Sequence, residues 1–186
     1  MDEKQRRHPI RLFDLAYACS IYGLVTDFDE SYARFVKETN KPPDLALAEH
    51  RKRLLVWLNS WGCRQFALRW HCLASENIRL WYEEYRGMLP ATDKDLWKLS
   101  TKELAEAERA YESLSKRTVS RYRRKDKTEL LKRTAGPTGA AKILFALRPR
   151  AFPTWDGPIR EHFGYNGSAA SYLTYLERVL RTFKGL

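Results

Sequence analysis

Asp156 is the residue of this chain whose surroundings best suit catalysis. It lies in the segment Phe152-Pro153-Thr154-Trp155-Asp156-Gly157-Pro158-Ile159-Arg160. Pro158 suits the first turn of a helix, so Asp156 is placed to cap that helix. A carboxylate at the positive end of a helix stays ionised and can face a cleft as a fixed negative charge. A purely structural cap is the simpler interpretation, and both interpretations stay open at this point.

A glycine-containing turn precedes this segment. Ala135-Gly136-Pro137-Thr138-Gly139 separates a short helix, predicted over residues 128–134, from a second helix predicted over residues 140–147. Two glycines allow another molecule to approach the backbone closely, and a helix start presents free N–H groups. Gly136, Thr138 and Gly139 are therefore candidate phosphate contacts, although most such turns are only connectors. Lys142, one turn further on, is predicted to face solvent or phosphate.

A strongly basic run lies just before the turn. Between Lys116 and Arg133 the sequence has nine basic and two acidic residues, a net charge of +7 within an overall charge of +11. Such a surplus favours a polyanionic partner. Arg123, Arg124 and Lys125 are the candidates for contact with a nucleic-acid backbone. The competing interpretation is a solvated face of a helix.

In their order along the chain, these residues resemble the helix-hairpin-helix GPD superfamily of DNA glycosylases. The resemblance covers residues 130–163, with Gly136 on the second glycine of the family's hairpin and Asp156 on its catalytic aspartate. It implies an all-α fold with two helical lobes around a cleft. It also implies an enzyme that flips a base out of the duplex and hydrolyses its N-glycosidic bond, leaving an abasic site.

Departures from the family pattern narrow this expectation. Thr134 replaces the first glycine of the hairpin, and Thr138 stands where bifunctional members carry their Schiff-base lysine. The cysteine cluster of the iron–sulfur members is missing, and the three cysteines are too scattered for a metal site. We therefore expect a monofunctional glycosylase without lyase activity, cofactor or metal.

The chemistry implied by the resemblance assigns roles to further residues. Asp156 would stabilise an oxocarbenium-like transition state and orient the attacking water. Trp155 is the first candidate for a wall of the base pocket. Trp61 is the second, although its helical spacing is more typical of a core residue. Three residues of the turn 59–65 are candidates to fill the gap left by a flipped base, namely Asn59, Arg64 and Gln65.

Helical periodicity dominates the elements that must position these residues, and the predicted class is all-α. Apolar positions repeat at helical spacing over residues 54–61, 78–85 and 172–183. Ser100 and Glu103 form a capping-box pattern that predicts a helix through about Ser115. We expect one compact domain over residues 1–186. Its lobe A comprises residues 1–41 and 149–186, and its lobe B comprises residues 42–148 with the hairpin at 128–147.

Composition limits the remaining choices. With 44% hydrophobic residues the chain can build a core, so disordered and fibrous classes are excluded. No apolar stretch is long enough to span a bilayer, so we expect a monomeric cytoplasmic protein. The expected partner is duplex DNA with a damaged or modified base, in base-excision repair or in defence against modified phage DNA. Two alternatives stay open: a non-catalytic helix-hairpin-helix module of a repair or defence complex, and an RNA-binding helical protein.

Overall fold

A computed structural model of the chain describes residues 12–40, 42–124 and 129–184. These residues form a mainly helical fold with one small antiparallel sheet, in agreement with the predicted class apart from the sheet. The helices are α1 (Leu12–Val25), α2 (Phe28–Glu38), α3 (Ala48–Ser60), α4 (His71–Tyr85), α5 (Thr101–Lys116), α6 (Gly136–Leu147), α7 (Gly157–Phe163) and α8 (Ala169–Lys184). The strands are β1 (Thr118–Arg123) and β2 (Leu130–Thr134).

The start of α5 confirms the predicted capping box. The Ser100 hydroxyl accepts a hydrogen bond from the Glu103 N–H at 3.3 Å, and the Glu103 carboxylate accepts one from the Ser100 N–H at 2.9 Å. The reciprocal bonds satisfy two N–H groups that a helix start leaves unpaired. From this fixed start α5 runs inward and packs against α6 and α8.

The segment before the glycine-containing turn is a strand, so the helix predicted over residues 128–134 is wrong across Leu130–Thr134. Arg121 pairs with Lys132 and Tyr122 pairs with Leu131 in the antiparallel register. Leucine, lysine and arginine favour a helix locally. In the fold, however, β1 carries the β-branched and aromatic residues typical of a strand, and pairing with it overrides the local preference of β2.

Helix α6 also begins earlier than predicted. It starts at Gly136 rather than Ala140, and Gly136 adopts a positive φ of 65° that a glycine accepts without strain. The strand β2 therefore leads into the first turn of α6 through Ala135 alone. Within the part of the chain that the structure describes, a strand stands where the first helix of a helix-hairpin-helix motif was expected.

Two groups of aromatic side chains build the core. One surrounds Trp57 and Trp61 between α2, α3 and α6, where Tyr32, Phe35 and Phe145 pack against the two indoles. The other surrounds Trp155 between α5 and α8; its ring partners are Tyr111, Tyr165, Tyr172 and Tyr175. Trp61, whose spacing in the sequence is typical of a core residue, is buried directly after the end of α3.

Candidate carboxylate site and basic surface

Asp156 caps α7, as the sequence predicts. Its Oδ1 accepts a hydrogen bond from the Ile159 N–H at 3.2 Å, and its backbone is extended with φ −101° and ψ −175°. The residue is half-buried. Among the described residues Oδ2 has no hydrogen-bond partner, so one carboxylate oxygen is held and the other is available to a ligand.

Arg160 connects this cap to the start of α6. Its Nη1 donates to the Thr138 hydroxyl at 3.1 Å and to the Trp155 carbonyl at 3.1 Å, and its Nη2 donates to the same hydroxyl at 3.2 Å. The structure thus brings together Thr138, Trp155 and Asp156. No role was predicted for Arg160 from the sequence. Its position one helical turn after Asp156 was the available signal.

Tyr175 lies on the inner side of the Asp156 cap. Its hydroxyl donates to the Thr154 carbonyl at 2.9 Å. Burial, and after it the negative charge of Asp156, raises the pKa of Tyr175 to about 12. The negative charge of Asp156 therefore acts on Tyr175, which belongs to the group of aromatic side chains around Trp155. Interactions with charge are stronger in such a low-dielectric environment than in water.

Neither tryptophan chosen for the base pocket lines an open cleft in this structure. Trp155 is fully buried, and its Nε1 has no hydrogen-bond partner among the described residues. Trp61 is also buried, and its Nε1 donates to the Ser31 hydroxyl at 2.7 Å. Both rings are surrounded by other aromatic side chains because they anchor the two core groups.

Two of the predicted phosphate contacts prove to be interior residues. A Cβ at Gly139 would lie 2.8 Å from Gln65 Nε2 and 2.9 Å from Phe66 Cε2, so tight packing explains this glycine. Lys142 does not face solvent: it is 8% exposed, and its Nζ donates to the Trp61 carbonyl at 2.6 Å. Helix α6 is buried on most of its surface, which turns Lys142 inward. Gly136 and Thr138 stay half-buried at the start of the helix.

The three candidates for filling a flipped-base gap have different surroundings. Gln65 is tied to the fold, since its Nε2 donates to the Ala135 carbonyl at 2.8 Å and its carbonyl accepts from the Ser120 hydroxyl at 2.6 Å. Asn59 Nδ2 lies 3.1 Å from His71 Nε2. Arg64 is exposed, and its side chain has no hydrogen bond or ion pair among the described residues. Only Arg64 therefore keeps a side chain available to a ligand.

The described part of the basic run comprises the end of α5 and the paired strands β1 and β2, which we call the hairpin. At its start Lys116 pairs with Glu112 and Arg117 with Glu84, each at 2.6 Å. Arg121 and Arg123 on β1 and Lys132 on β2 are exposed, as is Arg124 just beyond β1. Lys125 lies outside the described residues. Residues from both strands of the hairpin thus present positive charge to solvent, instead of the single helical face that the sequence suggested.

The surface has two grooves of note, and Asp156 is not among the lining residues of either. The larger has a volume of about 980 Å³ between α2 and the end of α6, with Val36, Pro43 and Leu147 among its lining residues. The smaller, of about 570 Å³, lies beside α8 and includes Pro153 and Thr154. Neither of these two grooves therefore places the carboxylate in an open pocket.

Among the described helices, none combines the length and apolarity needed to cross a bilayer. The same residues hold no cluster of three His, Cys, Asp or Glu side chains suited to a metal ion. Comparison of the chain with protein-family models, with curated proteins and with solved structures finds no match in any of the three.

Proposed function

We propose that the chain is a monofunctional DNA glycosylase, which binds duplex DNA and hydrolyses the N-glycosidic bond of a damaged or modified base. One observation carries this proposal. Arg160 ties the half-buried Asp156 cap to Thr138 in the first turn of α6, and the basic hairpin leads directly into that turn. A carboxylate, a helix start and a positively charged surface thus follow one another along a short stretch of chain.

Asp156 is the group on which the reaction depends. Departure of the base leaves positive charge on the sugar, and a carboxylate close to the anomeric carbon stabilises that charge. The Ile159 N–H holds Oδ1, which leaves Oδ2 to accept a proton from the attacking water or to face the sugar. Arg160 is a positioning residue, because it holds the Trp155 carbonyl beside the cap.

Substitution Asp156→Asn tests the proposal. Duplexes carrying uracil, 8-oxoguanine, alkylated purines or hydroxymethylated and glucosylated cytosine are incubated with the protein, and abasic sites are cleaved with alkali. We expect the wild-type chain to release one of these bases and the variant to be slower by about 100-fold or more, the typical effect of losing one preorganised electrostatic group. Borohydride should trap no covalent adduct, since Thr138 cannot form an imine.

The Asn variant is its own structural control. Asn caps a helix as well as Asp does, so the free energy of unfolding should change by less than about 0.5 kcal/mol. DNA affinity should also be retained. Release of no base from any substrate, or a fully active variant, would contradict the catalytic role.

A second candidate is a non-catalytic DNA-binding module, in which Asp156 is only a cap. It is favoured by the burial of Trp155 and by the absence of Asp156 from the two grooves. Tight duplex binding without release of any base would support this candidate over the enzyme. The same set of substrates distinguishes the two, because affinity and base release are measured on identical duplexes.

A further inference from the structure

The basic side chains of the hairpin are divided between its two faces. Arg121 and Lys132 stand directly opposite each other in the register, and Arg123 follows Arg121 by two positions. Alternation along a strand therefore places the three on one face, and all three are exposed. We call these three residues the basic face. On the opposite face the guanidinium of Arg133 lies 4.8 Å from the ring centre of the half-buried Tyr122.

Among the described residues, the charges of the basic face have no ion-pair partner. Within residues 12–40, 42–124 and 129–184, no carboxylate lies within ion-pair distance of any of the three residues. The basic residues at the base of the hairpin differ in this respect, because Glu112 and Glu84 neutralise Lys116 and Arg117. Surface ion pairs contribute little to stability, but unpaired cations on one face attract a polyanion.

The base of the hairpin is fixed to the helical body. The Ser120 hydroxyl donates to the Gln65 carbonyl at 2.6 Å, and the Ala135 N–H donates to the Arg117 carbonyl at 2.9 Å. Arg121 also lies with its guanidinium 6.0 Å from the ring centre of Trp70. A held orientation lowers the conformational entropy lost when the face binds a partner.

We propose that the basic face docks on B-form DNA as a two-stranded ribbon in the major groove, with its three cations directed to the phosphates that border the groove. This inference rests on the proposed function, which supplies DNA as the partner. The major groove of B-form DNA is about 12 Å wide and admits a two-stranded ribbon. The deep, narrow major groove of an RNA duplex does not.

Single strands fit this surface less well. Their proteins use exposed aromatic rings on which successive bases stack. The four opposed positions of the basic face are Arg121, Lys132, Arg123 and Leu130, and none is aromatic. The composition of the face therefore favours a duplex, whose charge density is high and whose bases are already stacked.

The test compares the triple variant R121Q/R123Q/K132Q with the charge-matched control K52Q/K102Q/R181Q, whose substitutions lie on α3, α5 and α8. Fluorescence anisotropy gives the affinity of each protein for one sequence as duplex DNA, single-stranded DNA and duplex RNA over a series of salt concentrations. Loss of three phosphate contacts should lower the log–log salt slope by about 2.7, since each contact contributes about 0.9. The control should keep the wild-type slope, and duplex DNA should be bound most tightly.

The outcomes separate this inference from the proposed function. If the wild-type chain binds duplex DNA and the triple variant keeps its slope, the basic face is not the contact, while the glycosylase proposal is unaffected. Equal binding of duplex RNA or single strands overturns docking in the groove. If the wild-type chain binds none of the three, both proposals fail. Should the triple variant not fold, as judged by thermal denaturation, the three single variants replace it and each should lower the slope by about 0.9.

Discussion

Gly139 and Lys142 show that a residue suited to binding a ligand can be equally suited to packing inside the fold. In the sequence they resemble parts of a phosphate-binding turn, but in the structure they are packed beside Gln65 and Trp61. A glycine that allows close approach of a ligand also allows close approach of a neighbouring side chain. Whether such a glycine contacts a ligand or a side chain depends on which distant parts of the chain meet in the fold. Spacing along the sequence therefore does not distinguish the two cases.

Replacing Gly139 with alanine should destabilise the fold. The added Cβ would lie 2.8 Å and 2.9 Å from atoms of Gln65 and Phe66, and Phe66 is fully buried and cannot move aside. Overpacking of this kind costs about 1–3 kcal/mol, which urea denaturation measures directly. Gly87→Ala is the matched control. Nothing lies within 4 Å of a Cβ at Gly87, so its free energy of unfolding should not decrease by more than about 0.5 kcal/mol. Equal stability of the two variants would contradict the packing role.

The helix-capping role of Asp156 could be predicted from the sequence, whereas the direction of the Lys142 side chain could not. The cap needs only Asp156, Pro158 and Ile159, which are neighbours in the chain, and it was predicted correctly. Lys142 instead bonds to the carbonyl of a residue 81 positions away. Such a contact leaves no local pattern, which is why the inward direction of Lys142 was missed.

At the scale of elements, α5 is determined by residues that are neighbours in the chain, whereas β2 depends on pairing with another strand. The start of α5 follows from the four-residue capping box that Ser100 and Glu103 close, and its continuation follows from an apolar face of helical period. The strand β2 forms because β1 lies beside it, and its own residues favour a helix. The resemblance to a glycosylase hairpin assumed the helix. The structure has a strand, β2, before the turn and a helix, α6, after it.

The α5 start predicts a defined pH dependence. Hydrogen bonds from Lys94 and Ser100 lower the pKa of Glu103 to about 2. An unfolded glutamate has a pKa of about 4.3, so the charged form stabilises the fold above that pH and the stabilisation is lost as the pH falls toward 2. Glu103→Gln should therefore be less stable than the wild-type chain at pH 7, and the difference should shrink toward pH 2. Urea denaturation across this range measures it.

Glu108→Gln is the control for this experiment, because Glu108 lies on the same helix without an ion pair among the described residues. It should show no comparable difference at pH 7. A difference between wild-type and Glu103→Gln that stays constant down to pH 2 would mean that side-chain shape, and not the charge of Glu103, stabilises the start of α5.

At the scale of the whole molecule, the elements contribute unequally to the core. Helix α8 buries Tyr172 and Leu176 completely and packs on α5. Helix α1 differs, because every side chain described for it is exposed; Phe13, Tyr17 and Leu24 are 76%, 62% and 79% exposed. The predicted lobe A contains both helices. Their burial nevertheless indicates that only α8 adds substantially to the hydrophobic stabilisation of the fold.

Truncation at the two ends should therefore have opposite results. A chain beginning at Asp27 lacks α1 but loses no buried side chain described for that helix, so its free energy of unfolding should stay within about 0.5 kcal/mol of the full chain. A chain ending at Ser168 lacks α8 and exposes the Trp155 group, and since large-to-small changes at single core positions already cost about 2–5 kcal/mol, it should not fold. Circular dichroism and urea denaturation of both truncations provide the measurement. A loss above about 2 kcal/mol on removing α1 would show that this helix packs on the body and stabilises it.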